Sequence, residues 1–551
     1  MFTTYLLLLS KNELSKPYVQ RLPCSILFQP VSPPQPTQGI GVIYLHGWNG
    51  YPYSPVACSL GSAFASQGFV FISLGIGRRG VEGQMNALPD DDIADISRGV
   101  EYFHSYGVRD IILVGEEIGA LSAVSYQCQT QDSRVKGMVL IHPFGDLAPW
   151  LQNAIGQERY FALADQSETE VIQTPEGKYW VDLTIKTADG GHLLIYQSFE
   201  AWLAWWGENA DTRISLSLEG LSTPVLVVDS KHEETVSKNA VPVDDEANLL
   251  AIFPDWVSKL KSSVGGEFQL VKSDVTQPLE IVTVQTSDGS NLVGLLWETS
   301  NSRVNKTAVL HVRGKTGTPI TEPLFAQLAE VYNQQSIAAM VIELRRSGYG
   351  GSLQATADMD IDDINAFVEL LVNRGYTRIV LSGQSLGSNS IMRYQSFSRH
   401  PNVIALVHMA PTRDCPDWLE KHIGSDVYNS LVAEAKQAVQ AGCGDEGLIG
   451  KPPYQWMLSP HRPQSWLSWS GPEADTVNLK TIADIEIPIL MLCGSNDFFN
   501  DRERLNQLQA AATRSKLTNI IWYEGCGHDF AGFEQQAAGD VIAWLKGIEQ
   551  I

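Results

Sequence analysis

"RIVLSGQSLGSNS" (Arg378–Ser390) and, far upstream, "DIILVGEEIGALS" (Asp110–Ser122) are two versions of one local design. Each begins with an apolar, strand-like run. Each then places two glycines around a short turn and continues into a helix-like stretch. The central residue of the turn is Ser385 in the later copy and Glu117 in the earlier one. A strand that passes straight into a helix through small neighbours holds its central side chain on a crowded, strained turn. Serine on such a turn is a candidate nucleophile. Glutamate in the same place lacks the hydroxyl that this chemistry uses.

The duplication extends well beyond the turn. The two turns align at an offset of 385 − 117 = 268. "GVIYLHGWNG" (Gly41–Gly50) matches "AVLHVRGKTG" (Ala308–Gly317) at 267. "DISRGVEYFHSYGVRDIILVG" matches "DINAFVELLVNRGYTRIVLSG" at 268, and "AWLAWWGENADT" (Ala201–Thr212) matches "SWLSWSGPEADT" (Ser465–Thr476) at 264. From there to "TPVLVVDSKHEE" (Thr223–Glu234) in one half and "IPILMLCGSNDF" (Ile487–Phe498) in the other, the match needs no gap. Blocks that keep one order and a nearly constant offset describe two homologous halves. These are residues 1–262 and 278–551, joined near "KSSVGGEFQLVKSDVTQP", with its glycine pair and polar residues. A chain of 551 residues also exceeds what one ordinary core fills.

Within the second half, "TAVLHV", "AAMVIEL", "RIVLSG", "VIALVHM", "IPILMLCG" and "NIIWYEG" are short apolar runs set between amphipathic stretches. That alternation predicts an α/β fold, a mostly parallel sheet covered by helices on both faces. "LEIVTVQTSDGSNLVGLLWE" predicts an opening hairpin. "DDINAFVELLVNRG" has acids first, apolar spacings of three and four, and a terminal glycine, as a helix should.

Composition narrows the functional classes. Net charge is 39 − 62 = −23, which repels a phosphate backbone and argues against nucleic-acid binding. No apolar run reaches the ~18–20 residues of a membrane span. The opening "MFTTYLLLLSKNEL" is expected to be a first strand, with a secretory leader as the second reading. Seven scattered cysteines without a C-x-x-C pair suggest neither a zinc site nor a disulfide framework, and they fit a reducing cytoplasm. The chain shows no metal motif and calls for no cofactor; its oligomeric state is not readable from sequence.

A serine hydroxyl needs a base, and the base needs an orienting carboxylate. Asp497 follows the run "IPILMLCG", and His528 follows "NIIWYEG". Ser385, Asp497 and His528 thus come in the order Ser, Asp, His, each just past a strand, where a parallel sheet gathers its ligands.

On these residues the second half resembles the α/β-hydrolase superfamily: the elbow Gly383-Gln384-Ser385-Leu386-Gly387, the acid in "LCGSNDFF", the histidine in "GCGHDF" and the early loop "HVRGKTG". The resemblance implies a serine hydrolase working through an acyl-enzyme on Ser385. It implies an oxyanion hole built from the N–H groups of Leu386 and Lys315. The family usually shows His-Gly in the early loop, where this chain has Arg313-Gly314. Arg313 and Lys315 are therefore either contacts to an anionic part of the substrate or solvated loop charges. The long stretch 411–486 predicts a helical cap, and its aromatics, Trp418 and Trp456 among them, predict an apolar or aromatic small-molecule acyl substrate. An ester is the expected bond; a thioester or an aminopeptidase-like amide would use the same parts. A non-enzymatic binding or scaffold protein is the rival from another class.

In the first half, the equivalents of Ser385 and Asp497 are Glu117 and, since 497 − 264 = 233, Glu233. No histidine-bearing eighth strand is evident, and the region reads as running almost directly into a closing helix. A decayed copy is the main expectation. A carboxylate chemistry on Glu116, Glu117 and Glu233, or a binding role, are the alternatives.

Overall fold

The computed structural model describes residues 2–7, 25–31, 39–48, 50–78, 83, 85–173, 180–186, 192–228, 240–243, 245–260, 276–315, 324–347, 349–449 and 461–548. The chain divides into two compact units, Met1–Pro278 and Leu279–Ile551.

In the first unit the strands are β1 (Phe2–Leu7), β2 (Ser25–Pro30), β3 (Ile40–Leu45), β4 (Val70–Leu74), β5 (Asp110–Glu116), β6 (Val135–Ile141), β7 (Trp180–Lys186), β8 (His192–Ser198), β9 (Val225–Val228) and β10 (Ala240–Val243). In the second they are β11 (Glu280–Gln285), β12 (Asn291–Trp297), β13 (Thr307–Val312), β14 (Ala338–Ile342), β15 (Arg378–Gln384), β16 (Val403–Met409), β17 (Ile489–Gly494) and β18 (Thr518–Tyr523). The sheet orders are β1-β2-β4-β3-β5-β6-β9-β10 and β11-β12-β14-β13-β15-β16-β17-β18. With the separate β7–β8 hairpin set aside, the two orders are the same.

The pattern of each strand follows from its place. β11 alternates, with Val282 and Val284 buried and Glu280, Thr283 and Gln285 exposed, as an antiparallel edge strand with one covered face should. β13 is buried at all six positions, because helices cover both faces of a central parallel strand. β14 lies on one side of β13 and β15 on the other. The chain therefore leaves the C-terminal ends of β13 and β15 in opposite directions and opens a crevice between them, the usual site for a ligand in such a sheet.

The expectation that the first half lacks an eighth strand is corrected. β10 pairs in parallel with β9 through four residues, Ala240–Val243. Its brevity and its proline hid it; an edge strand tolerates proline because one side of it donates no ladder hydrogen bonds. No histidine occurs between Ala240 and Pro278. The stretch "GKYWVDLTIKTADGGHLLIYQSF", which reads as a hairpin-like insertion without a clear match in the second half, forms the β7–β8 hairpin; with helices Leu147–Ile155, Gln157–Gln173 and Phe199–Trp206 it makes a cap on the first unit. The hairpin buries Val181, Leu183, Leu193 and Ile195 in the first unit's own core.

Two histidines sit inside the second sheet. His311 on β13 lies between the rings of Phe325 and Tyr332, and His408 lies on β16. Burial lowers each to about 3, so both are neutral in the folded chain. Burial, and then the nearby Lys315, lower His461 as well. The unfolded chain takes up these protons below its ordinary histidine pKa of about 6.5, so each group costs about 1.4 kcal/mol per pH unit from there down to its folded value. Asp363, raised to about 6 by its burial, offsets one of the three. In the first unit, positions 44 and 140 hold tyrosine and leucine instead. We expect the second unit's urea midpoint to fall steeply between pH 6 and pH 4. A His408→Leu variant should flatten that slope by about one proton, as read from unfolding curves across that range.

Candidate active site

Ser385 stands where β15 enters helix Leu386–Ser398, with φ 53° and ψ −125°. Glu117 stands where β5 enters helix Ile118–Thr130, with φ 50° and ψ −115°. Such dihedrals are uncommon for a residue with a Cβ and mark a strained turn. The sequence holds the turn by removing side chains around it. A Cβ on Gly383 would come within 2.4 Å of the Gly387 carbonyl oxygen, and one on Gly387 within 2.2 Å of the Val312 carbonyl oxygen. Ser385 N–H donates to the Met409 carbonyl at 2.9 Å, and Glu117 N–H to that of Ile141 at the same distance. Strained elbow, eight-stranded order and crossovers coincide in both units. The fold is the α/β-hydrolase fold, present twice.

A family model described as "Protein of unknown function (DUF1749)" matches residues 280–476 of the chain. No curated protein matches it in sequence. Among solved structures, the chain is similar to Est1E from Butyrivibrio proteoclasticus (15% identity, TM-score 0.34), with 49% of this chain and 98% of that chain covered. It is similar to DcsB, solved in complex with its substrate analogue (14%, 0.39), with the same two coverages. A highly thermostable carboxyl esterase from Bacillus coagulans, solved with glycerol, gives 13%, 0.39 and again 49% and 98%.

In the second unit, Asp497 follows β17 and His528 follows β18, and the structure brings them together. His528 Nδ1 lies 3.2 Å from both Asp497 carboxylate oxygens. The Phe499 N–H donates to Asp497 Oδ1 at 2.7 Å, and the Cys493 thiol faces Oδ2 at 3.5 Å. Burial alone would raise the Asp497 carboxyl; His528 and these donors outweigh it and hold the group below the ordinary carboxylate range. Cys526 is buried, and its carbonyl accepts the Asn496 N–H at 3.0 Å, which ties the acid loop to the histidine loop. Gln384, next to the serine, donates from Nε2 to the His528 carbonyl at 3.5 Å. His528 therefore stands beside the elbow. Among the described residues, no hydrogen bond joins its ring to Ser385 Oγ.

Arg313 is neither a solvated loop charge nor open to solvent. It is buried, it donates from Nη1 to Gln384 Oε1 at 2.9 Å, and it lies 5.1 Å from the Phe325 ring centre. It braces the early loop against the elbow. Desolvation by the surrounding protein lowers the Lys315 ammonium to about 8; Cys415 opposes this and the Arg346 charge adds to it. A Cβ on Gly314 would come within 2.8 Å of Ser385 Cβ, so the early loop lies against the nucleophile.

The cap helices Cys415–Ile423, Ser425–Gln440 and Pro463–Ser470 share a small core of Leu419, Ile423, Tyr428, Ala435, Ile449 and Trp466. Trp469 packs with Leu386 and Ala357, seating the cap on the elbow. Trp418 packs against Phe499 with tilted rings at 5.4 Å, and Phe499 and the exposed Phe498 lie 4.9 and 5.1 Å from the His528 ring. Trp456 and Glu233 fall outside the described residues.

In the first unit the Glu117 carboxylate turns back onto the early loop. Its Oε2 accepts the Trp48 N–H at 3.2 Å, and Trp48 is the counterpart of Lys315 (48 + 267 = 315). Trp48 is buried between Trp205 and Trp206, at ring distances of 5.7 and 5.6 Å. Two of these three rings are missing from the second unit, where the equivalents are Lys315, Trp469 and Ser470. Tyr44 donates to Glu116, and burial, then the Glu116 charge, raise the tyrosine well above its usual range.

A buried ion pair that the sequence reading missed occurs in both units. Arg346 Nε donates to Asp360 Oδ2 at 2.8 Å, as Arg78 Nε does to Asp92 Oδ2. Ser390 and Ser122 donate to the same carboxylates. The repeat offset of 268 was the signal that could have found all three pairs.

Proposed function

We propose that the second unit is a serine hydrolase that cleaves a small acyl ester through an acyl-enzyme on Ser385. The observation that carries this reading is the Asp497–His528 pair held against the strained serine elbow. With Nδ1–H facing the Asp497 carboxylate, His528 keeps Nε2 free to take the serine proton. Ser385 then attacks the carbonyl carbon. The oxyanion is met by the N–H groups of Leu386, at the head of its helix, and Lys315. His528 returns the proton to the leaving alcohol, and water repeats the cycle to release the acid. The hydrogen bond between Ser385 Oγ and His528 Nε2 forms when substrate fills the site, as catalytic hydrogen bonds often do.

Phe498, Phe499 and Trp418 form an apolar wall beside His528 and favour an apolar or aromatic group on the substrate. The first unit is proposed to be non-catalytic: a carboxylate replaces its nucleophile, and no histidine follows β10.

The test is labelling with a fluorophosphonate, followed by peptide mass spectrometry. A single adduct on the Ser385 peptide is the expected result. Folded protein that takes no label, or takes it elsewhere, overturns the reading. A panel of p-nitrophenyl esters, thioesters and aminoacyl anilides then ranks the bond cleaved.

A further inference from the structure

We infer that Arg346 is a positioning residue that aims the Lys315 N–H at the oxyanion. This inference rests on the serine-hydrolase reading and extends it to a residue outside the triad. Arg346 is 4% exposed and uses its whole guanidinium. Nη1 donates to the Gly314 carbonyl and Nη2 to the Arg313 carbonyl, each at 2.8 Å, while Nε is held by Asp360. Ser390, on the helix that begins just after the nucleophile, donates to the same Asp360 oxygen. One buried cluster thus clamps the early loop to the nucleophile's helix, the two elements that carry the two oxyanion donors.

The direction of the effect follows from peptide geometry. The Gly314 carbonyl and the Lys315 N–H belong to one planar trans peptide, so they point to opposite sides. Holding the carbonyl from behind turns the N–H toward the elbow. The first unit carries the same arrangement with the anion in place. Arg78 Nη1 holds the Gly47 carbonyl at 2.6 Å, and the Trp48 N–H of that same peptide reaches Glu117 Oε2 at 3.2 Å. There the anion is the elbow residue's own carboxylate; in the second unit it is the oxyanion formed on the substrate.

The first unit also supplies the control for a purely structural role. Arg346→Lys keeps the charge and loses the fork, and Arg78→Lys makes the same change where no nucleophile stands. With p-nitrophenyl butyrate as the probe, Arg346→Lys should lower kcat by about 100-fold at unchanged KM and an unchanged pH profile. It should slow fluorophosphonate labelling to a similar extent. Arg78→Lys should leave kcat within twofold while lowering the melting temperature comparably. If Arg346→Lys does not fold, Ser390→Ala tests the same clamp, with kcat expected to fall five- to tenfold at constant KM.

Turnover within threefold of wild type in folded Arg346→Lys, or in Ser390→Ala where that variant stands in, overturns the inference alone. So does an equal loss of kcat in Arg78→Lys. A wild type inert to ester and phosphonate overturns the hydrolase reading and this inference with it.

Discussion

Replacing Ser385 with alanine is expected to lower kcat toward any ester the protein turns over by ~10³–10⁶-fold and to abolish its phosphonate adduct. Members of a nucleophile–base–acid set act as a unit, so losing the hydroxyl forfeits what His528 and Asp497 contribute as well. Binding should change little, because the substitution removes one oxygen from a half-buried position. The elbow's positive φ strains alanine as it strains serine, so the melting temperature should stay near that of the wild type. The paired variant is Glu117→Ala in the first unit, which should leave turnover within twofold. A Ser385→Ala protein that keeps a tenth of wild-type activity, or a Glu117→Ala protein that loses most of it, would move the chemistry to another site.

The second large effect belongs to Asp497→Asn, for which kcat is expected to fall by ~10⁴-fold with KM nearly unchanged. The substitution keeps the shape and turns one acceptor into a donor. The asparagine oxygen would still accept the Phe499 N–H, as Asp497 Oδ1 does in the wild type. The amide NH2 would then face Cys493 and His528 Nδ1. Nδ1 must become an acceptor, and the ring proton moves to Nε2, on the side facing the serine. A ring that presents a proton there cannot accept one. A loss of less than tenfold, measured on protein with a wild-type circular dichroism spectrum, would remove Asp497 from the orienting role.

The parts that were legible in sequence are those in which one side chain has one reading. The strained elbow shows through its glycines at 383 and 387, and its upstream copy shows through the constant offset. The mostly parallel, helix-covered sheet followed from short apolar runs set between amphipathic stretches. Asp497 and His528 could be named because each follows such a run.

Other parts were hidden for physical reasons. Arg346, Asp360 and Ser390 are polar residues near loops, and that pattern ordinarily means solvent; only the fold reveals that carbonyls at 313 and 314 wait beside the guanidinium. The same bias made Arg313 read as a substrate contact or a solvated charge rather than a buried brace. β10 was too short, and too marked by Pro242, to stand out. The first unit's hairpin was legible in "GKYWVDLTIKTADGGHLLIYQSF", but the helices that complete its cap were not.

The shared strand order has a consequence for how the chain is made. Two sheets built from similar segments in one polypeptide invite strands of one copy to enter the other, the characteristic misassembly of tandem proteins. Synthesis runs from the N-terminus at about 5–20 residues per second, so the first sheet has all its strands for tens of seconds before the second has its own. Order of emergence separates in time what sequence similarity would otherwise mix. Refolding the full chain from denaturant removes that separation and sets sixteen sheet strands competing at once.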